Sequence, residues 1–324
     1  MTAQKGQARS KLATYHLTTP LERLIGGSDL WGKLDSFLNL AEAADRSAHT
    51  ITTYRCLLGD FVKFVNSRGA TLPADVSEEH VVAYIIHKKQ TCGGVSVNTY
   101  FKHIRAWFNW MVKRGILESS PCASLKAPTI PKTVIRPIVG EQLQKMVACC
   151  TDHIYGVRDK AIMLLIYDSG LRRSEVANIK LENVDLDRGA IKVMGKGAKE
   201  RYVGIGKEVK DALLQYLYMR KDDLPWLFVT CHKENPGKLP PNTIYQAIKH
   251  AMKRAGITGV KLGPHALRHG FATASIRNGA NLFYVQSLLG HSTLTMTRKY
   301  ADTINSEEAV KQHHGFSPVD KLRK

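Results

Sequence analysis

The chain has 324 residues, 44% of them hydrophobic, with 47 Lys and Arg against 28 Asp and Glu, a formal net charge of +19. That length holds about two globular domains, and its strongest apolar run, Ala161 to Tyr167, falls far short of the ~20 residues that a membrane span needs. The basic excess sets up a long-range field that attracts polyanions and makes binding salt-dependent.

Residues 1–26 read as a basic, flexible lead-in without the apolar stretch of a signal peptide. Helical patterning then begins. Leu30, Trp31, Leu34, Phe37 and Leu38 recur at three- and four-residue intervals. Thr50 to Val65 repeats the pattern with Tyr54, Leu57, Leu58, Phe61 and Phe64. Ser77 is placed to cap a third helix. A fourth runs from Val97 to about Lys113 and stops at Gly115. These stripes predict a small helical domain over 27–125 whose aromatic residues form its core rather than a platform for stacked bases. Residues 126–138 hold three basic residues and three prolines (KAPTIPKTVIRP); the prolines stiffen an extended chain and predict an interdomain linker.

A second domain is expected over 139–303. Glu141–Cys150 and Arg158–Asp168 read as helices. Around Asp185–Ile205 the period changes to alternation, with Gly195-Lys196-Gly197 as the turn of a hairpin. Helices are predicted over Val209–Arg220, Asn242–Ala255, His265–Arg277, Leu282–Leu289 and Thr293–Tyr300, with a tail over 304–324 that holds one more helix near Ser306–His314. The fold class is thus mainly α with a small β-sheet or hairpin. The six cysteines form no Cys-x-x-Cys pair. That argues against a zinc ribbon or a thioredoxin-like site and suits a reducing cytosol.

The polar residues that carry chemistry lie mostly in the last third. Cleavage of a phosphodiester by tyrosine meets two obstacles. The phenol has a pKa of about 10, so ionising it at neutral pH costs ~4 kcal/mol. The transition state is highly anionic, and losing one fixed donor to it typically costs ~3–4 kcal/mol. A protein doing this needs a guanidinium clamp, a histidine, a separate acid for the leaving oxygen and an exposed tyrosine. Arg172 sits in SGLRRSE beside Gly170. His265 and Arg268 form H-x-x-R, one turn apart on one helix face. His291 follows Gly290, and Tyr300 ends STLTMTRKYAD. Lys196 tops the hairpin. Taken singly, each has a bland reading as surface charge, a soluble turn or packing. GKG is not a nucleotide-triphosphatase phosphate loop, because the Gly-x-x-x-x-Gly-Lys-Ser/Thr pattern is absent. His265, His269 and His291 raise a metal-site alternative, but no carboxylate or cysteine lies at ligand spacing near them.

Taken together, these segments resemble the tyrosine site-specific recombinases, the phage-integrase and Xer-type enzymes. SGLRRSE is similar to that family's first-arginine box, GKGAKER to its lysine hairpin, HALRHGFAT to its second-arginine box and LLGHSTLTMTRKYAD to its histidine-to-tyrosine segment. TITTYRCLLGDFVKF and VNTYFKHIRAWFNWMVKRGIL are similar to its helical core-binding domain. The resemblance implies a two-domain C-shaped clamp, with an N-terminal SAM-like core-binding domain and a C-terminal α+β catalytic domain. It implies that Arg172 and Arg268 clamp the scissile phosphate and that His265 acts as base and acid. Lys196 would protonate the 5′-oxygen, with Lys199 as the alternative acid. His291 would bond a non-bridging oxygen, Tyr300 would form a 3′-phosphotyrosyl bond, and Glu175 would orient its neighbours. Arg173 and His269 fall outside the pattern.

No metal, cofactor or ATP is implied. The implied partners are double-stranded DNA with an inverted-repeat core site and a homotetramer on two such sites, monomeric when off DNA, with room for an accessory directionality protein. The tail would dock between protomers, and the enzyme would act in a prokaryotic cytoplasm at the nucleoid, with no membrane partner. Gly204, where Xer enzymes usually have proline, and the basic lead-in tilt the reading toward a mobile element. Type IB topoisomerase activity and a non-catalytic DNA-binding protein of the same fold are the competing readings.

Overall fold

The computed structural model describes residues 27–129, 136–195, 200–231, 236–259 and 262–290. The chain divides into two compact units after Thr133, each described by itself.

In the first unit α1 (Leu30–Ala43), α2 (Ala48–Asn66), α3 (Glu78–Thr91) and α4 (Gly94–Lys113) follow one another. Three of these four starts have a local side-chain cause. The Asp29 carboxylate accepts from the Gly32 amide at 2.9 Å, and Ser47 Oγ accepts from the Thr50 amide at 3.2 Å, so side chains cap N–H groups that a helix leaves without partners. At α3 the imidazole of His80 reaches back to the Ser77 amide. The apolar stripes meet in one core. Leu34, Phe61, Tyr84, Phe101, Trp107 and Phe108 are all within 2% of complete burial, as an aromatic core rather than a base-stacking surface requires. Tyr84 keeps its hydroxyl satisfied by donating to Asp60.

The second unit contains α5 (Gly140–Ala148), α6 (Ile154–Ser169), the five-residue α7 (Arg173–Ala177), β1 (Val184–Asp185), β2 (Ala190–Met194), β3 (Glu200–Gly204), α8 (Lys207–Met219), α9 (Pro241–Arg254), α10 (Pro264–Arg277) and α11 (Leu282–Leu289). The strands form one antiparallel sheet in sequence order, with Ile191 opposite Val203 and Met194 opposite Glu200. The architecture is mainly α with one small sheet, as the patterning predicts. Its axis is α6, whose Ala161, Ile162, Met163, Leu165 and Ile166 are buried. A helix apolar on so many sides must be covered, and α8 and α10 cover it.

Differences from the sequence reading are local. The helix expected from Arg158 begins four residues earlier, at Ile154. Arg158 is inside it and 4% exposed, donating to the Val229 carbonyl and to Asp159. Arg220 similarly satisfies the carbonyls of Leu224, Trp226 and Leu227. Two buried arginines therefore hold an irregular segment in place of a ladder of backbone bonds. The helices expected over Thr293–Tyr300 and Ser306–His314 lie outside the described residues.

Helix α10 meets α6 at Gly270. A Cβ built there would stand 2.5 Å from the Ile138 carbonyl oxygen and 2.5 Å from the Tyr167 ring. The ring can move; the carbonyl cannot. Gly270→Ala should therefore destabilise by about 1–3 kcal/mol, whereas Gly204→Ala, with nothing within 4 Å, should change stability by less than about 0.5 kcal/mol. Thermal denaturation of the two variants checks this, and equal melting temperatures would contradict it.

Candidate active site

The site is built where α6 and α11 end. Both stop at a glycine in the left-handed region, Gly170 (φ 64°) and Gly290 (φ 62°), the conformation in which glycine closes a helix without Cβ strain. A helix end leaves carbonyl oxygens without intrahelical donors and carries partial negative charge. Here guanidinium groups supply the donors. Arg201 Nε donates to the Leu288 carbonyl at 2.9 Å. Arg268 donates to the Leu289 carbonyl at 2.7 Å and to the Gly170 carbonyl. Arg172 donates to the Gly290 carbonyl at 3.3 Å. Three consecutive carbonyls thus meet three different arginines, and Arg268 ties the two helix ends together.

One carboxylate organises the cluster. Glu175, on the first turn of α7, accepts from the Arg172 backbone amide at 2.7 Å and from the Arg172 guanidinium at 2.9 Å. It also takes a two-pronged contact from Arg201, 2.9 Å to each oxygen. Its side chain is 5% exposed, that of Arg201 13% and that of Arg172 32%. Burial alone would push the Glu175 carboxyl up, but the hydrogen bonds from Arg201 and Arg172 outweigh it and hold the group below the usual carboxylate range. Three guanidiniums against one carboxylate leave net positive charge. Arg172, the most open of the trio, faces solvent with it, which suits an anion such as a phosphate.

The structure brings together Arg172, Glu175 and Arg268 from the sequence-predicted set. His265 lies on α10 one turn before Arg268 and is exposed. Arg173 takes another direction, with its guanidinium 5.6 Å from the centre of the Tyr245 ring. Lys196, Lys199, His291 and Tyr300 lie outside the described residues. Arg201 was not singled out from the sequence, although it stands in the GKGAKER segment. Its signal was position: opposite Val193 on β3, where an arginine stem in a strand otherwise suggests only a soluble edge. Among the described residues no three His, Cys, Asp or Glu are grouped so as to hold a metal ion, and no helix is long and apolar enough to cross a membrane.

Residues 137–307 match the model of the phage integrase family. The chain belongs to that family. Tyrosine recombinase XerA of Pyrococcus furiosus is 32% identical over 82% of this chain and 88% of its own length. Two solved structures share the fold. The integrase of transposon Tn1549, in complex with a circular intermediate DNA, superposes with a TM-score of 0.70 at 17% identity, covering 89% of this chain and 99% of that one. A lambda integrase tetramer bound to a Holliday junction gives 0.69 at 14% identity, covering 88% and 81%. The protein is accordingly a tyrosine site-specific recombinase, an enzyme that breaks and rejoins DNA, and its arginine cluster belongs to the family-matched segment.

Removing the central carboxylate should be costly. At pH 7, Glu175→Gln leaves two partly buried guanidiniums without their anion, a loss of about 3–5 kcal/mol. Because the Glu175 pKa is depressed in the folded protein, its contribution is complete above the unfolded value of about 4.3 and disappears as pH falls through the folded value. The gap between the urea midpoints of the two proteins should be constant near pH 7 and narrow progressively as pH falls below about 4.3 toward about pH 3. A gap that stays constant across this range would show that the ion pairs are not its source.

Proposed function

We propose that this recombinase cleaves each DNA strand by attack of Tyr300 on the scissile phosphate, giving a 3′-phosphotyrosyl bond and a 5′-hydroxyl. In this reading Arg172 and Arg268 hold the non-bridging oxygens. His265 takes the phenolic proton and returns it during rejoining. Lys196, with Lys199 as the alternative, protonates the departing 5′-oxygen, and His291 donates to a non-bridging oxygen. The covalent bond conserves the energy of the broken phosphodiester, so rejoining needs neither ATP nor a metal. Exchange of two strand pairs in turn passes through a Holliday junction.

The observation that carries this reading is the convergence of Arg172, Arg201 and Arg268 on the carbonyls of Leu288, Leu289 and Gly290. The clamp arginines are bonded to the backbone that leads within one residue to His291 and within ten to Tyr300. Preorganised cations of this kind act on charge that develops in the transition state.

The partner in this reading is double-stranded DNA with an inverted-repeat core, bound by four protomers on two sites. Residues 27–125 contact the core, 126–138 cross the duplex, 139–303 cleave, and 304–324 dock between protomers, with the 26-residue basic lead-in before them. The tetramer on a Holliday junction is a property of lambda integrase, and it is carried here as part of the proposal. So is an intracellular site of action on the nucleoid. Gly204 and the basic lead-in support a role in moving a mobile element rather than resolving chromosome dimers.

Nicked duplexes tiled from the DNA flanking the gene, incubated with protein and run on a denaturing gel, provide the test. A slow, protease-sensitive protein–DNA band is expected for the wild type and none for Tyr300→Phe, with DNA binding retained. The band should persist with chelator present. A band that survives in Tyr300→Phe would place the nucleophile elsewhere, and relaxation of supercoiled DNA without a paired site would favour the topoisomerase reading.

A further inference from the structure

We propose that Arg201 is a positioning residue of the recombinase: it fixes the Arg172 guanidinium, through Glu175, and the end of α11 in one geometry. The inference rests on the proposed function, in which Arg172 holds the scissile phosphate. Arg201 uses both faces of its donor fork. Two N–H groups grip Glu175 at 2.9 Å each, and its Nε binds the Leu288 carbonyl. A Cβ at Gly290 would lie 3.2 Å from the guanidinium carbon, so the peptide of Gly290 rests directly against Arg201. Three elements distant in sequence, β3, α7 and the end of α11, are joined by one side chain. Among the described residues the Arg172 guanidinium is held by Glu175 and by a 3.3 Å contact to the Gly290 carbonyl; Arg201 grips the first and bonds the Leu288 carbonyl two residues before the second. Nothing in the family resemblance gives Arg201 a role.

The arrangement makes the Glu175 charge depend on Arg201. Burial raises the carboxyl pKa and is the largest influence on it; the Arg201 hydrogen bonds come next, ahead of those from Arg172. Among the described residues, four further charged groups line an open cleft next to Glu175: Lys180, Glu182, Lys192 and Glu200. Two cations and two anions there nearly cancel, and Lys192 pairs with Glu200 at 3.0 Å. Without Arg201, burial dominates and Glu175 takes up a proton at higher pH. A protonated Glu175 no longer anchors Arg172.

The test uses full-length protein and the nicked duplex on which the wild type forms its covalent adduct. Arg201→Met keeps the stem and removes the fork; Arg201→Lys keeps a charge without the two-pronged geometry. Single-turnover adduct formation is followed against pH, and DNA affinity by gel shift. Arg201→Met should bind DNA within about threefold of wild type yet form adduct about a hundredfold more slowly at pH 7, the scale expected of an ångström's misplacement. Its acid limb should move up by about one pH unit or more, Arg201→Lys should fall between, and Arg201→Met/Glu175→Gln should be slow with that limb gone. A rate within threefold of wild type, or a uniform loss at every pH, overturns the proposal. Side-chain N–H exchange of Arg172 in 15N-arginine-labelled protein, assigned with Arg172→Lys, needs no DNA. It should be about tenfold faster in Arg201→Met, where one of the anchors that slow opening is lost, and an unchanged rate also overturns the inference. Failure of the wild type to form adduct on any duplex would instead count against the proposed function, and the exchange measurement would still decide the role of Arg201.

Discussion

Guanidinium groups withdrawn from water need acceptors on every side, and the second unit is arranged around that demand. An ionised group loses several kcal/mol of solvation when buried, and a charge-assisted hydrogen bond returns about 1.5–3 kcal/mol. Arg172, Arg201 and Arg268 meet this cost with one shared carboxylate and four main-chain carbonyls. Full neutralisation by side chains would leave nothing to offer a phosphate. Main-chain oxygens carry partial charge only, so the arginines are held in place and stay electrically unfilled. That balance between restraint and residual charge suits the phosphate clamp proposed for Arg172 and Arg268.

The helices supply the acceptors because of how they end. Gly170 and Gly290 turn the chain out of α6 and α11 in the left-handed conformation, leaving terminal carbonyls pointing toward the same place. Gly170 is also pressed by Phe271 of α10, whose ring would lie 2.4 Å from a Cβ. Close approach of α10 at Gly270 then sets how deep Arg268 enters. Packing of small residues, helix termination and electrostatics are therefore three aspects of one arrangement, and a change in any of them displaces the same three guanidiniums.

The sequence made the large features legible and left the connections hidden. Stripes such as Leu30, Leu34 and Leu38 follow from a period that burial enforces, and all three are buried. The hairpin showed itself by alternation at Ile191 and Val193. SGLRRSE and HALRHGFAT could be recognised because their chemistry is written in side chains. The five-residue α7 was too short to show a period, and β1 has only two residues. Arg201 was passed over for a deeper reason. Its partners are Glu175, 26 positions earlier, and a carbonyl 87 positions later. A main-chain oxygen has no letter in the sequence. No pattern search over residue types finds an interaction whose acceptor is common to all of them.

The same anonymity of the acceptors governs how α11 is able to evolve. Its eight residues deliver carbonyls rather than side chains to the arginines; Val285 and Leu289 are buried, but Phe283 and Tyr284 are largely exposed, so the lettering of that outer face is open to drift. Its length is not. Each residue added to or removed from a helix rotates everything beyond it by about 100° and shifts it by about 1.5 Å. A single-codon insertion or deletion before Leu288 would turn all three carbonyls away from their guanidiniums together. Lineages of this enzyme should therefore accumulate substitutions at Phe283 and Tyr284, on the outer face of α11, while its reading-frame spacing to Gly290 stays fixed.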